Sequence, residues 1–89
     1  MSTVVIYTSA LCGYCTRAKQ LLDSKSVAYQ EIRVDQNPNM RLEMIERSQR
    51  RTVPQIFIAD HHVGGCDDLF ALERSNDLDD LLQNSNQPS

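Results

Sequence analysis

Val4-Val5-Ile6-Tyr7-Thr8-Ser9-Ala10-Leu11-Cys12-Gly13-Tyr14-Cys15 decides how the rest of this chain is read. Its first five residues are an unbroken β-branched and aromatic run. A run without polar alternation belongs to a central strand with both faces covered. Ser9 to Gly13 reads as a loop. From Tyr14 the period changes: Cys15, Ala18 and Leu22 fall at i, i+3 and i+7 with Leu21 beside them, while Arg17, Lys19 and Gln20 face water. Ser24 to Ser26 ends this helix, and Val27 to Val34 alternates through Tyr29, Ile32 and Val34 as a second strand. A β-α-β unit in about thirty residues requires parallel strands and a right-handed crossover.

Working outward, Asp35-Gln36-Asn37-Pro38-Asn39 is dense in turn and capping residues. Met40 to Arg47 then reads as a second helix, with Met40, Met44 and Ile45 inward. Arg50 to Pro54 is a loop. Gln55-Ile56-Phe57-Ile58 and His61-His62-Val63 are short strands separated only by Ala59 and Asp60, the spacing of an antiparallel hairpin. Gly64-Gly65 breaks the pattern, Asp67 to Arg74 forms a third helix, and Asp77 to Leu82 a fourth with Leu78, Leu81 and Leu82 inward. The order β-α-β-α-β-β-α-α defines an α/β, thioredoxin-like architecture: a four-stranded mixed sheet with helices on both faces. Residues 1–83 are expected to form one domain and residues 84–89 a flexible polar tail.

The chain has 89 residues, too few for a second domain of typical size. Its net charge is −3, which excludes bulk attraction to nucleic acid or to anionic membranes. No stretch approaches the ~20 apolar residues of a membrane span. The amino terminus enters an apolar strand with no basic leader, so export is not expected. Three cysteines, an odd number, argue against a disulfide-stapled secreted scaffold and for a reducing, cytoplasmic setting.

Cys12-Gly13-Tyr14-Cys15 lies where a buried strand hands over to a helix. Two intervening residues on a first helical turn bring both sulfurs to one side. The first sulfur meets the unpaired N–H groups and the positive end of the helix, which favour a thiolate and make Cys12 the attacking group. Cys15, one turn in, is better covered and suits a resolving role. Half of a zinc site is the competing reading, but it needs a second ligand pair. His61 and His62 are adjacent in a hairpin, and Cys66 adds only one sulfur. No metal site is expected here.

Tyr7-Thr8, Cys12-Gly13-Tyr14-Cys15, Thr52-Val53-Pro54 and Gly64-Gly65-Cys66-Asp67-Asp68 together resemble a glutaredoxin of the small dithiol bacterial type, from Val4 to about Leu82. The resemblance implies a glutathione-dependent thiol–disulfide oxidoreductase. Its partners are glutathione and glutathionylated or disulfide-bonded proteins, with Cys12 as nucleophile and Cys15 resolving. Pro54 then matches a cis-proline opposite the nucleophile, presenting the Val53 backbone to substrate as an added strand. Gly65, Cys66 and Asp67 match the dock for the γ-glutamyl end of glutathione, through backbone N–H groups and the Asp67 carboxylate. Tyr14 and Thr52 complete the expected glutathione contacts. Plainer readings stand beside these: packing for Tyr14, helix capping for Asp68, a small groove filler for Cys66, and a solvated face for Arg47 and Arg50.

Two positions depart from the commonest family pattern. Gly13 replaces a proline, which loosens the loop and restores an N–H donor. In the family that change accompanies a [2Fe–2S] cluster held between two protomers by the first cysteine and glutathione. A cluster-bridged dimer, with Cys12 as the metal ligand, is therefore the alternative to a monomeric enzyme. Ser9 replaces a lysine, leaving the thiolate to the helix terminus and implying weaker glutathione affinity. A thioredoxin-like reductant is a third reading, disfavoured by the absence of tryptophan before Cys12.

Overall fold

The first strand, β1 (Val4–Thr8), is bonded along both edges. On one side β2 (Gln30–Arg33) runs parallel to it, with Ile6 opposite Glu31; on the other β3 (Gln55–Ile58) runs antiparallel, with Ile6 opposite Ile56. β4 (His61–Gly64) pairs antiparallel with β3, giving the order β2-β1-β3-β4. Four helices complete the chain: α1 (Gly13–Ser24), α2 (Pro38–Ser48), α3 (Cys66–Arg74) and α4 (Asp77–Asn84). This computed structural model describes residues 3–84. The expected tail begins at Asn84, which closes α4; residues 85–89 lie outside the described part.

The four-stranded mixed sheet with helices on both faces is thus present. Alternate residues of β1 and β3 feed two separate cores. Val4, Ile6, Ile56 and Ile58 pack with Ala18 and Leu22 of α1, Cys66 and Leu69 of α3, and Leu78 and Leu82 of α4. Tyr7 and Phe57 point to the other face, against Val34 and Met44, with Val53 laid on that cluster. The continuous apolar run of β1 is explained by this two-sided burial.

Several boundaries shift from the sequence reading, each for a local reason. α1 starts at Gly13 because Cys12, extended at φ −108°, is its N-cap. The second strand is shorter than Val27 to Val34: Val27 N–H returns to the Leu22 carbonyl at 3.3 Å, closing the helix instead of pairing. Val34 still donates to the Thr8 carbonyl at 2.9 Å. α2 begins at Pro38 because Asn37 caps it, its Oδ1 accepting from Asn39 and Met40 N–H groups at 3.2 and 3.3 Å. Gln49 ends that helix in the left-handed region at φ 60°. α3 begins at Cys66, where Asp68 Oδ2 accepts the Gly65 N–H at 2.9 Å.

Gly64 takes φ +115°, and a Cβ there would lie 2.3 Å from Asp68 Oδ2. No such crowding surrounds Gly13, which has nothing within 4 Å of its hypothetical Cβ. Gly64→Ala is therefore expected to cost about 1–3 kcal/mol in urea denaturation, and Gly13→Ala to stay within about 0.5 kcal/mol of wild type.

Candidate functional site

Three chain segments converge at the end of β1: the α1 N-terminus, the loop from Arg50 to Pro54, and the α3 N-terminus. Cys12 Sγ accepts the Cys15 N–H at 3.2 Å, and the thiol donates to the Val53 carbonyl at 3.9 Å. One orphan N–H of the helix is thus spent on sulfur, as an N-cap oxygen would use it. The Val53–Pro54 peptide is cis, as expected.

Cys12 is partly exposed, whereas Cys15 is buried at 2% exposure. Burial, and next the hydrogen bond with Cys12, push the Cys15 thiol up to about 12. The two cysteines are therefore chemically unequal: one faces solvent, and the other holds its proton. Cys66 is also buried, which raises its thiol; Asp67 and Cys12 add to the rise and Arg17 opposes it.

A groove of about 290 Å³ runs from Tyr14 past the Val53 backbone to the α3 N-terminus. All seven residues expected to contact glutathione line it: Tyr14, Thr52, Val53, Pro54, Gly65, Cys66 and Asp67. That volume is at the lower edge of the roughly 300–1,000 Å³ usual for small-molecule sites, which suits a ligand laid along an open surface. Tyr14 stands 60% exposed as one wall, ready to cover an apolar stem.

Two further residues line the groove, Asp68 and Arg50, read from sequence as a helix cap and a solvated face. Arg50 Nη1 and Asp68 Oδ2 form an ion pair at 3.0 Å between the loop and α3. Asp68 does cap its helix, and Arg50 is exposed, yet together they tie the two walls together. The Gly65 N–H and then Arg50 hold the Asp68 carboxyl below its ordinary range. Arg47 is exposed as expected, but its guanidinium lies 4.0 Å from the Phe57 ring centre and donates to Tyr7 Oη at 2.8 Å. Its role is packing against the second core.

On the other side of Cys12 a broader hollow of about 570 Å³ is lined by Ser9, Leu11, Lys19, Glu31 and Arg33, among others. Lys19 pairs with Glu31 at 3.0 Å, and Thr8 Oγ1 donates to the same carboxylate at 2.6 Å. Asp35 accepts the Ala10 N–H at 3.3 Å and is held down to about 2, chiefly by the Arg33 guanidinium. Asp35 thereby steadies the loop before Cys12. Nothing in the local sequence marks that contact, because it spans 25 positions. Leu11, fully exposed at φ 56°, is the other feature that sequence reading missed.

Comparison with known proteins places this geometry. The family described as glutaredoxin matches residues 4–63. Glutaredoxin 3 of Escherichia coli K12 is 57% identical over 83 residues, covering 93% of this chain and 100% of that protein. A glutaredoxin of Pseudomonas aeruginosa is 57% identical over 82 residues, 92% and 98% of the two chains. The solution structure of glutaredoxin from Brucella melitensis superposes with a TM-score of 0.85 at 51% identity, covering 99% of this chain and 96% of that one. The crystal structure of a buckwheat glutaredoxin–glutathione complex gives 0.86 at 32% identity, covering 93% and 78%. The sheet and its helices are therefore the thioredoxin-like fold.

Cys15 also makes stability depend on pH. Its folded-state value is raised from an ordinary 9.0 to about 12, so its contribution is complete below about pH 9 and is lost as pH rises toward 12. Urea midpoints measured across that window should fall with pH in wild type and fall less in Cys15→Ser.

Proposed function

The chain belongs to the glutaredoxin family, and from that premise we propose that it is a glutathione-dependent enzyme reducing protein–glutathione mixed disulfides and protein disulfides. The observation that carries this reading is the placement of the Cys12 sulfur, capped by the Cys15 N–H and facing the Val53 carbonyl where the groove begins.

The Cys12 thiolate attacks the glutathionyl sulfur of a mixed disulfide. A Cys12–glutathione disulfide forms, the old S–S bond breaks, and the protein thiolate leaves and takes a proton. Glutathione is then held in the groove, with its γ-glutamyl carboxylate at the α3 N-terminus and its ammonium against Asp67. A second glutathione thiolate attacks the bound glutathionyl sulfur, releasing oxidised glutathione and the Cys12 thiolate. For a protein disulfide, Cys12 first forms a mixed disulfide with the protein; Cys15 then attacks Cys12 and expels the protein thiolate. Two glutathiones reduce the resulting Cys12–Cys15 bond.

The chemistry of Cys15 orders these routes. Burial, and next the hydrogen bond with Cys12, push its thiol up to about 12, so in the free enzyme Cys15 keeps its proton while Cys12 faces the substrate. When the substrate is a simple mixed disulfide, free glutathione completes the exchange at Cys12 without Cys15. The iron–sulfur alternative rests on the Gly13 substitution alone.

Glutathione-coupled reduction of a small mixed disulfide tests the proposal. Wild type should turn over, Cys12→Ser should be inactive, and Cys15→Ser should keep most of the activity. A folded wild type that fails to turn over, yet is coloured when purified anaerobically with glutathione, would put the cluster-bridged dimer in first place. Asp67→Asn should raise KM for glutathione roughly tenfold with little change in kcat, the loss expected for one charge-assisted contact.

A further inference from the structure

Gln55 is fully buried on β3, and both ends of its amide are engaged. Its Nε2 donates to the Thr52 carbonyl at 3.1 Å and to Thr52 Oγ1 at 3.2 Å. That fixes the amide orientation, so Oε1 must accept from the group facing it. The group is His62 Nε2, at 2.8 Å. His62 therefore carries its proton on Nε2. Burial, and next the Arg50 guanidinium, lower the histidine below its ordinary value and favour this neutral, single-donor form.

The sheet enforces the chain of contacts. Gln55 and Phe57 share one face of β3, and the register places His62 opposite Phe57. The His62 ring stacks on Phe57 with centres 4.8 Å apart. His62 is thus held in place diagonally from Gln55, and its donor cannot swing away without losing the stack.

The last link reaches the groove. Thr52 Oγ1 receives a hydrogen from Gln55, so its own O–H is left to donate elsewhere. Thr52 is exposed and lines the groove. We infer that His62 and Gln55 are positioning residues that orient the Thr52 hydroxyl and backbone, turning that hydroxyl into a donor for an acceptor oxygen of glutathione. The inference rests on the enzyme reading for its ligand; the geometry of the relay does not. Serial donation in one direction polarises each bond in the row, so the terminal hydroxyl is a better donor than an isolated threonine.

Steady-state kinetics and urea melts of wild type, His62→Phe, His62→Gln, Thr52→Val, the His62→Phe/Thr52→Val double variant and the exposed control His61→Phe provide the test. His62→Phe keeps the stack and removes the donor. It should raise KM for glutathione about fivefold to tenfold with kcat nearly unchanged, and shift the Thr52 and Val53 amide resonances. His62→Gln should restore both readouts, and His61→Phe should alter neither. The double variant should bind glutathione no worse than Thr52→Val alone, because both changes remove the same hydroxyl. A His62→Phe protein with lower stability but wild-type KM and resonances would overturn the inference, as would strictly additive effects in the double variant. Should His62→Phe fail to fold, Gln55→Met removes the relay at nearly constant volume, and an unchanged KM there would overturn it equally. Inactivity of folded wild type would refute the enzyme reading instead, leaving the amide resonances to decide the positioning claim.

Discussion

Every helix begins with backbone N–H groups that have no partner inside it, and α1 directs one of them, that of Cys15, at the sulfur of Cys12. The rest of the site follows from holding that sulfur still. Strand β1, bonded on both edges, fixes where the loop to Cys12 starts. Ala18 and Leu22 anchor α1 to the first core, so the helix cannot roll its cap away. Asp35 catches the loop at Ala10, and Val53 arrives from the opposite core to face the sulfur. A thiol placed by one local bond is thereby positioned by contacts from across the fold.

The contrast between the two cysteines of the motif has the same origin. They are three residues apart, yet one is the cap and the other lies inside the helix it caps. Cys15 is consequently buried, like Ala18 on the same helix, where loss of solvent makes its anion costly. The helix terminus stabilises charge only at its end. A single turn of helix is enough to leave one sulfur partly exposed at the cap and the other buried, which is the inequality that the proposed division into nucleophile and resolver requires.

Much of this was legible in the sequence because it is written in short-range patterns. The β1 run, the i, i+3, i+7 stripe of α1 and the two-residue turn at Ala59 and Asp60 each report on neighbours a few positions away. The cysteine pair and the Gly64-Gly65 break were visible for the same reason, whereas the role of Pro54 in Thr52-Val53-Pro54 came only from the family resemblance. What escaped were contacts joining distant segments. Arg50 reaches Asp68 across 18 positions, Asp35 reaches Ala10 across 25, and Arg47 reaches Tyr7 across 40. Polar residues such as these look solvated until the register is known. His62 shows the point most clearly: from sequence it was half of an unpromising metal pair, and only its position opposite Phe57 reveals the acceptor it serves.

The division of the interior into two cores has one more consequence. Cys66 is rooted in the cluster beneath α1, α3 and α4, while Val53 rests on the cluster beneath α2. The two banks of the groove therefore stand on different foundations, and the groove is the seam between them. Because packed interiors transmit strain, a methyl group gained or lost in either one is expected to shift one bank against the other. If the groove holds glutathione as proposed, substitutions far from any sulfur, on either face of the sheet, are expected to change the fit of the tripeptide. The width of the groove is in this way set from the interior, at positions that never meet the reacting atoms.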